Sequence, residues 1–449
     1  MDRLPREILA EVLEFLAGPA PSDCRLHEQP SDDLLKSETL DLKSASQVDK
    51  LWRGHALPIL FRHVQWRPQL SPCFNTLDPG PLLQFLLGNR LHRHVLTFTL
   101  LIDFHSQETD ATSVAYQFCP SDLEVLWNRV FAVIDPLRFT IIAPPTTLAA
   151  LLNRMLFLQD AWSFKIPYHI LSLARSHRAP RKDPEMTLEM LTKAYGMGTL
   201  SQGRCSAAAC VFKGALPAPP CPLLTLRPWT SMLLNEGSSI PVYQTYEFFL
   251  RSPPSALSAL LGTGEYPNDA PLFPATVVDF NYIAIFPLSS HVSHLVHALP
   301  RVDRLFVRFT PRPRNRILED RQTLKHVDPA DLWMERSTAF RHLIGEMVNP
   351  SRSTSNWKAL KVFEISELGE EREVWNLASE CLQRDGTPDG SWVLEEEGLL
   401  VRLDDDGRSP KGPLLRSSGS IPHPSPVLDD LMHGARFALV PNHHFQPVW

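Results

Sequence analysis

Cysteine is scarce here, positive charge is in deficit, and no long apolar run occurs; each shortage closes off a class of protein. The seven cysteines, Cys24, Cys73, Cys119, Cys205, Cys210, Cys221 and Cys381, are scattered through 449 residues. An odd, sparse set is not the paired framework of a disulfide-stabilised secreted domain. Lys and Arg number 44 against 50 Asp and Glu, a formal net charge of -6. That balance argues against the basic face that a nucleic-acid partner wants, and it does not suggest a membrane surface. Met1 opens directly into Asp2 and Arg3, so no signal peptide is expected. The longest stretch without Asp, Glu, Lys or Arg, Phe280 to Pro300, holds three histidines and two prolines and does not read as a membrane span. The one Asn-x-Ser pattern, Asn349-Pro350-Ser351, is blocked by its proline as a glycosylation acceptor. A reducing setting, cytoplasm or nucleus, fits all of this.

Catalytic and metal-binding motifs are missing too. There is no Gly-x-Ser-x-Gly elbow, no phosphate loop ending in Gly-Lys-Ser/Thr and no His-Glu-x-x-His. Gly262 and Gly264 lack a third glycine, with Pro267 in its place, so no dinucleotide fold is supported. Cys205, Cys210 and Cys221 have no fourth ligand nearby, and tetrahedral zinc wants four. His291, His294 and His297 turn progressively round a helix with no obvious carboxylate, and read as surface histidines. No metal, no cofactor and no catalytic residue is expected.

What the chain has in excess is proline, 41 against 20 glycines. That is roughly twice an average share of about 5%. Many short segments with irregular connections are expected. Near the N-terminus Pro5 suits a first helical position, and Ile8, Leu9, Val12, Phe15 and Leu16 recur at helical spacing until Gly18-Pro19. Leu42, Ala45, Val48, Leu51 and Trp52 share a second helical face, and Ala56 to Phe61 makes a third short segment running into Val64. Three short helices this apolar bury poorly by themselves. They need either a partner or the rest of the chain, and a plain helical cap on the following domain is one reading.

The residues also carry a resemblance. Leu4-Pro5-Arg6-Glu7-Ile8-Leu9, then Asp41-Leu42 and Val48-Asp49-Lys50-Leu51-Trp52, then Ala56 to Val64, together resemble an F-box in the version common in filamentous fungi. Two departures stand out: a polar, proline-bearing insertion over 18–39, which reads as a solvent loop, and Asp49 where a small residue is usual. The resemblance implies a substrate-receptor subunit of an SCF-type cullin ubiquitin ligase, not an enzyme. Leu4, Pro5, Ile8, Leu9, Val12, Leu42, Val48, Leu51 and Trp52 would then dock a Skp-family adaptor and through it a cullin, with Trp52 more important for holding the helices together. The remaining chain would hold an unknown target protein. The rivals are an adaptor-bound scaffold without a ligase role, and an enzyme with its site in a concave face.

Beyond residue 66 helical stretches lead into apolar strands: 82–87 into 95–100, 123–133 into 137–142, 292–299 into 302–309, and 340–348 into 360–365. Such units suggest parallel strands covered by helices. The fold class expected is α+β: an N-terminal three-helix F-box over 1–66, then a degenerate leucine-rich-repeat-like α/β array over 67–365 with a surface excursion at 178–222. A helix and hairpin over 366–403, a disordered linker over 404–426 and a tail over 427–449 complete it. One charge cluster has two readings. Arg301, Arg304, Arg308, Arg312, Arg314, Arg316 and Arg321 crowd one strand and its loop against Asp303, Glu319 and Asp320. Alternation puts Arg304 and Arg308 on one strand face, while Arg312 and Arg314 follow Pro311. They are either solvated edge charges or, through Arg304, Arg308, Arg312 and Arg314, an anion-recognising patch for a phosphorylated or acidic target.

Overall fold

A computed structural model describes residues 5–18, 20, 24–31, 34, 39–68, 77–103, 118, 120–154, 156, 166–178, 220–263, 270–312, 315–351, 354–369, 372–384, 392–395 and 398–403. The expected linker, the C-terminal tail and all but the ends of the 178–222 excursion lie outside these residues. Residues 1–415 make one compact unit.

Its frame is a ten-stranded sheet whose strands lie almost in chain order. They are β1 (His63–Trp66), β2 (Thr97–Leu101), β3 (Arg138–Ala143), β4 (His169–Ala174), β5 (Ser231–Ser238), β6 (Asp279–Ile285), β7 (Arg304–Arg308), β8 (Val362–Ile365), β9 (Trp392–Glu395) and β10 (Leu399–Arg402). Pairing is parallel from β1 to β3 and from β5 to β8. Strand β4 runs against both of its neighbours, and the β9–β10 hairpin adds antiparallel to β8.

One face of the sheet is mainly apolar, with His169, Glu236 and the Tyr282 hydroxyl as polar members. Phe98 and Phe139 sit opposite each other in register and stack at 5.5 Å, with Trp127 edge-on to Phe139 at 5.7 Å. Trp127 comes from a helix, Pro120–Val133, that buries Leu123, Leu126, Trp127, Val130 and Phe131 at helical spacing. A second covering helix, Pro329–Val348, starts where the Asp328 side chain accepts from the Ala330 N–H and Pro329 fills the first turn. It buries Phe340, Leu343, Ile344 and Met347 against the same face.

The other face changes character along the strands. At the amino ends of β2, β3, β5, β6 and β7 it carries Thr97, Arg138, Ser231, Asp279 and Arg304 in one cross-strand row, and towards the opposite end Leu101, Ile142, Ile170 and Ile283 share a row with Asn235 and Arg308. The apolar end is covered by Leu26 and Leu34, both 3% exposed, together with Ile240, Val242 and Leu332. Leu26 and Leu34 belong to the 18–39 insertion, so its described residues 24–31 and 34 roof the sheet where the polar composition suggests a solvent loop. The buried Asn235 side chain fixes it by donating to the Leu26 and Glu28 carbonyls at 2.8 and 2.7 Å. Gly237, at φ 70°, admits it closely: a Cβ there would stand 3.3 Å from the Pro30 ring.

The expected α+β architecture is therefore overturned. A single α/β sheet, mostly parallel and covered on both faces, stands where a repeat array was expected, and the reversal of β4 breaks the repetition of like units. Nor is there a clear three-helix F-box. The N-terminal helices are α1 (Arg6–Ala17), a six-residue α2 (Leu40–Ala45) and α3 (Lys50–Leu60). The expected second helix breaks after Ala45 because the Asp49 carboxylate caps a new helix, accepting from the Trp52 N–H at 2.8 Å. Helix α3 then absorbs the expected third segment, Pro58 included, and the chain enters β1 three residues later.

Candidate functional site

Helix α1 carries two apolar stripes side by side. Leu9 and Leu13 point inward and meet Leu42, Ala45, Ala56 and Ile59 in a small closed cluster, with Leu16 and Trp52 at its edge. Ile8, Val12 and Phe15, at the same i, i+4, i+7 spacing one residue earlier, face water; Phe15 is 89% exposed. Leu40, 73% exposed, and Val48 and Leu51 add to this at the start of α2 and around the start of α3. Among the described residues six of the fifteen exposed large apolar side chains thus fall in the N-terminal helices and the turn between α2 and α3. Around them the Glu14–Arg62 ion pair ties α1 to the turn after α3.

The nine adaptor-docking residues expected from sequence therefore divide. Pro5, Ile8, Val12, Val48 and Leu51 are exposed, whereas Leu9 and Leu42 are core residues of the helical cluster and cannot reach a partner. Trp52 is half-buried against that cluster. Leu4 lies outside the described residues.

The arginine cluster divides as well. Arg304 is buried at the amino end of β7, where its guanidinium donates to Asp279 at 2.9 Å and to Glu364. Ser231 donates to the same Asp279, which makes a polar ladder of one guanidinium and two carboxylates across β5 to β8. Burial pulls the Arg304 pKa down, but the two carboxylates outweigh it and hold it up. Arg304 is thus no part of an exposed anion patch. Arg308 is also buried, with its Nε donating to the Ser366 hydroxyl at 2.9 Å and its guanidinium over the Phe306 ring. Arg308 and Arg312 do come together, on a cavity of about 490 Å³ under the roof, where Arg25 and His27 join them. Burial, then Arg308 and Arg312, push the His27 imidazole down to about 3. Arg314 lies outside the described residues.

A third cluster was not foreseen. The Glu236 carboxylate, buried behind β5, accepts from Ser255 Oγ, from the Leu257 N–H at 3.2 Å and from Tyr282 Oη at 2.9 Å. His291 Nε2 stands 3.0 Å from Oε2, the oxygen that Tyr282 also reaches, and an ionised carboxylate only accepts, which puts the proton on Nε2. Burial raises the Glu236 pKa, yet the hydrogen bond and charge of His291, with His169 and Ser255 behind it, hold it down at about 2. His169 is fully buried and its ring nitrogens have no hydrogen-bond partner; burial lowers its pKa to about 4. His291 is therefore not the surface histidine its spacing suggested. Little in the sequence hinted at it: Glu236 follows the apolar Met232-Leu233-Leu234 but sits between Asn235 and Gly237, which read as a turn. Apart from His169 the cluster is a satisfied polar core, and the cavities of about 280, 450 and 490 Å³ are lined by other residues. No group of three metal-ligating side chains occurs among the described residues, and none of their helices is long and apolar enough to cross a membrane.

No family model matches this chain, and no curated protein or solved structure is similar to it.

Proposed function

We propose that this protein is a substrate receptor without catalysis of its own, docking a Skp-family adaptor, and through it a cullin ubiquitin ligase, with the exposed stripe of its N-terminal helices. The observation that carries the reading is that stripe. Ile8, Val12 and Phe15 are helically spaced and face water beside a stripe that is already buried, so the helix has more apolar surface than its own cluster uses. The order Leu4-Pro5, Asp41-Leu42, Val48-x-Lys50-x-Trp52 supports an adaptor of this class over an unspecified partner. The sheet body would hold the target, and tethering raises the effective concentration at which other subunits transfer ubiquitin. A scaffold that recruits the adaptor without a ligase uses the same surface; recovery of adaptor without cullin would select it.

The test is Ile8→Asp with Val12→Asp in the full chain. Both positions are exposed, so the circular dichroism and urea midpoint should match the wild type. Desolvating two carboxylates in an apolar interface costs several kcal/mol, enough to weaken a micromolar complex by about 100-fold or more. Undiminished co-purification of the adaptor would overturn the assignment.

A further inference from the structure

Because β4 runs against its neighbours, it returns the chain to the end of the sheet where the parallel strands begin. Arg175 and Arg178, just past β4, there meet the segments that lead into β2, β3 and β5. Arg175 donates to Asp135 at 2.5 Å, and Arg227 donates to the same carboxylate at 2.7 Å. Arg178 reaches the loop before β2, donating to the carbonyls of Arg93 at 2.8 Å and Val95 at 2.5 Å.

Three guanidiniums thus share one carboxylate. Among the described residues Asp135 is the only acid paired with any of them. Burial would raise the Asp135 carboxyl, but its bonds to Arg175 and Arg227 hold it below the usual carboxylate range, so it is ionised. The other bonds of Arg175 and Arg227 go to the carbonyls of Pro136, Leu226 and Phe131, which satisfy N–H groups without cancelling charge. The surplus is felt nearby. Burial holds the Arg178 guanidinium below its ordinary value, with Asp135 opposing and Arg175 adding. Burial, then Arg62, Arg178, His92 and Arg93, do the same to the exposed His94 imidazole. A cation buried without a counter-ion costs free energy that an incoming anion recovers. The terminal nitrogens of Arg178 and Arg227 already donate to carbonyls, so the fork that would clamp a single phosphoryl group is taken up. What remains is a positive field behind the exposed side chains of the same segments, Arg90, His94 and His177. Screening beyond about 8–10 Å confines that field to a short stretch. A nucleic-acid strand long enough to leave it meets a chain whose net charge is -6.

We propose that the amino end of β2 to β5 is a docking surface for a short polypeptide segment rich in Asp and Glu, drawn by the field of Arg175, Arg178 and Arg227 and contacted through Arg90, His94 and His177. Under the receptor reading that segment belongs to the target, and this attribution rests on that reading; the surface itself does not.

Fluorescence anisotropy of a labelled octaglutamate peptide, titrated with the full-length protein, tests it. The wild type should bind, with affinity falling as salt is raised. His177→Glu, at an exposed position, should weaken binding about three- to fivefold. Asp135→Asn removes the one compensating charge but keeps an acceptor for both arginines, and should strengthen binding by about as much. If Asp135→Asn lowers the urea midpoint, His177→Glu decides alone. Arg316→Gln makes the same change of net charge in the loop past β7, at the opposite end of the sheet, and should leave the affinity unchanged. Absence of octaglutamate binding, or equal binding by His177→Glu, overturns the surface. An oligodeoxythymidylate of equal charge that binds more tightly than the peptide, and is weakened by His177→Glu, would assign the face to nucleic acid and overturn the acidic-polypeptide partner. Each variant should capture the adaptor as the wild type does; octaglutamate binding by a protein that captures no adaptor would overturn the receptor reading and leave this surface standing.

Discussion

The N-terminal helices and the sheet treat apolar surface in opposite ways. In the sheet, stacked Phe98 and Phe139 and the edge-on Trp127 are buried, and the covering helices turn Leu123, Val130, Phe340 and Leu343 onto the face beneath them. In the N-terminal helices one stripe closes a small cluster around Leu13 and Leu42 while a second, as rich, stands in water. A unit this small has too little interior to bury both. The excess is what separates a surface built to meet something from a core built only to hold itself together.

Substitutions on the two sides should separate by size of effect. Phe139→Ala removes a fully buried ring with aromatic neighbours on two sides, and should lower the unfolding free energy by about 3–5 kcal/mol in a urea titration. A loss under 1 kcal/mol would mean that the sheet core is not the rigid partner in the comparison. An intermediate effect belongs to His169. Its imidazole titrates near 6.5 when unfolded and about 4 when folded, so between those values the unfolded chain takes up a proton that the folded one refuses. Its contribution is complete above pH 6.5 and is lost as pH falls towards 4, at about 1.4 kcal/mol per pH unit and about 3 kcal/mol in all. His169→Met should flatten this part of the stability profile; an unchanged slope would show that the residue is not buried as a neutral base. The smallest effect should come from Val12→Ser and Phe15→Ser, which ought to shift stability by no more than about 0.5 kcal/mol. If either unfolded the helices, the outer stripe would be structural and the contrast would collapse.

Much of the sheet was legible. Strands β2, β3, β7 and β8 fall within one or two residues of the apolar runs that marked them, because alternation and β-branching are local properties of a strand. Strands β4, β5 and β6 were missed. Strand β5 contains Asn235, Glu236 and Gly237, which look like a turn in one dimension. In three dimensions Asn235 clamps the roof, Glu236 gathers four donors and Gly237 makes room for Pro30. The same blindness explains the insertion: its prolines and charges outnumber Leu26 and Leu34, yet those two leucines decide where it goes.

By itself the sequence determined the helical stripes of the N-terminal segment, the positions of the strongest strands, and the slightly acidic charge balance. Only the tertiary structure decided which arginines face a cavity. Arg304 and Arg308 are four residues apart on one strand face, a relation that alternation fixes, but Arg304 lands beside Asp279 and Glu364 while Arg308 lands beside the roof. Those neighbours are set by strand register across chain separations that no local spacing encodes. A slip of one residue in that register would turn every one of these side chains to the opposite face.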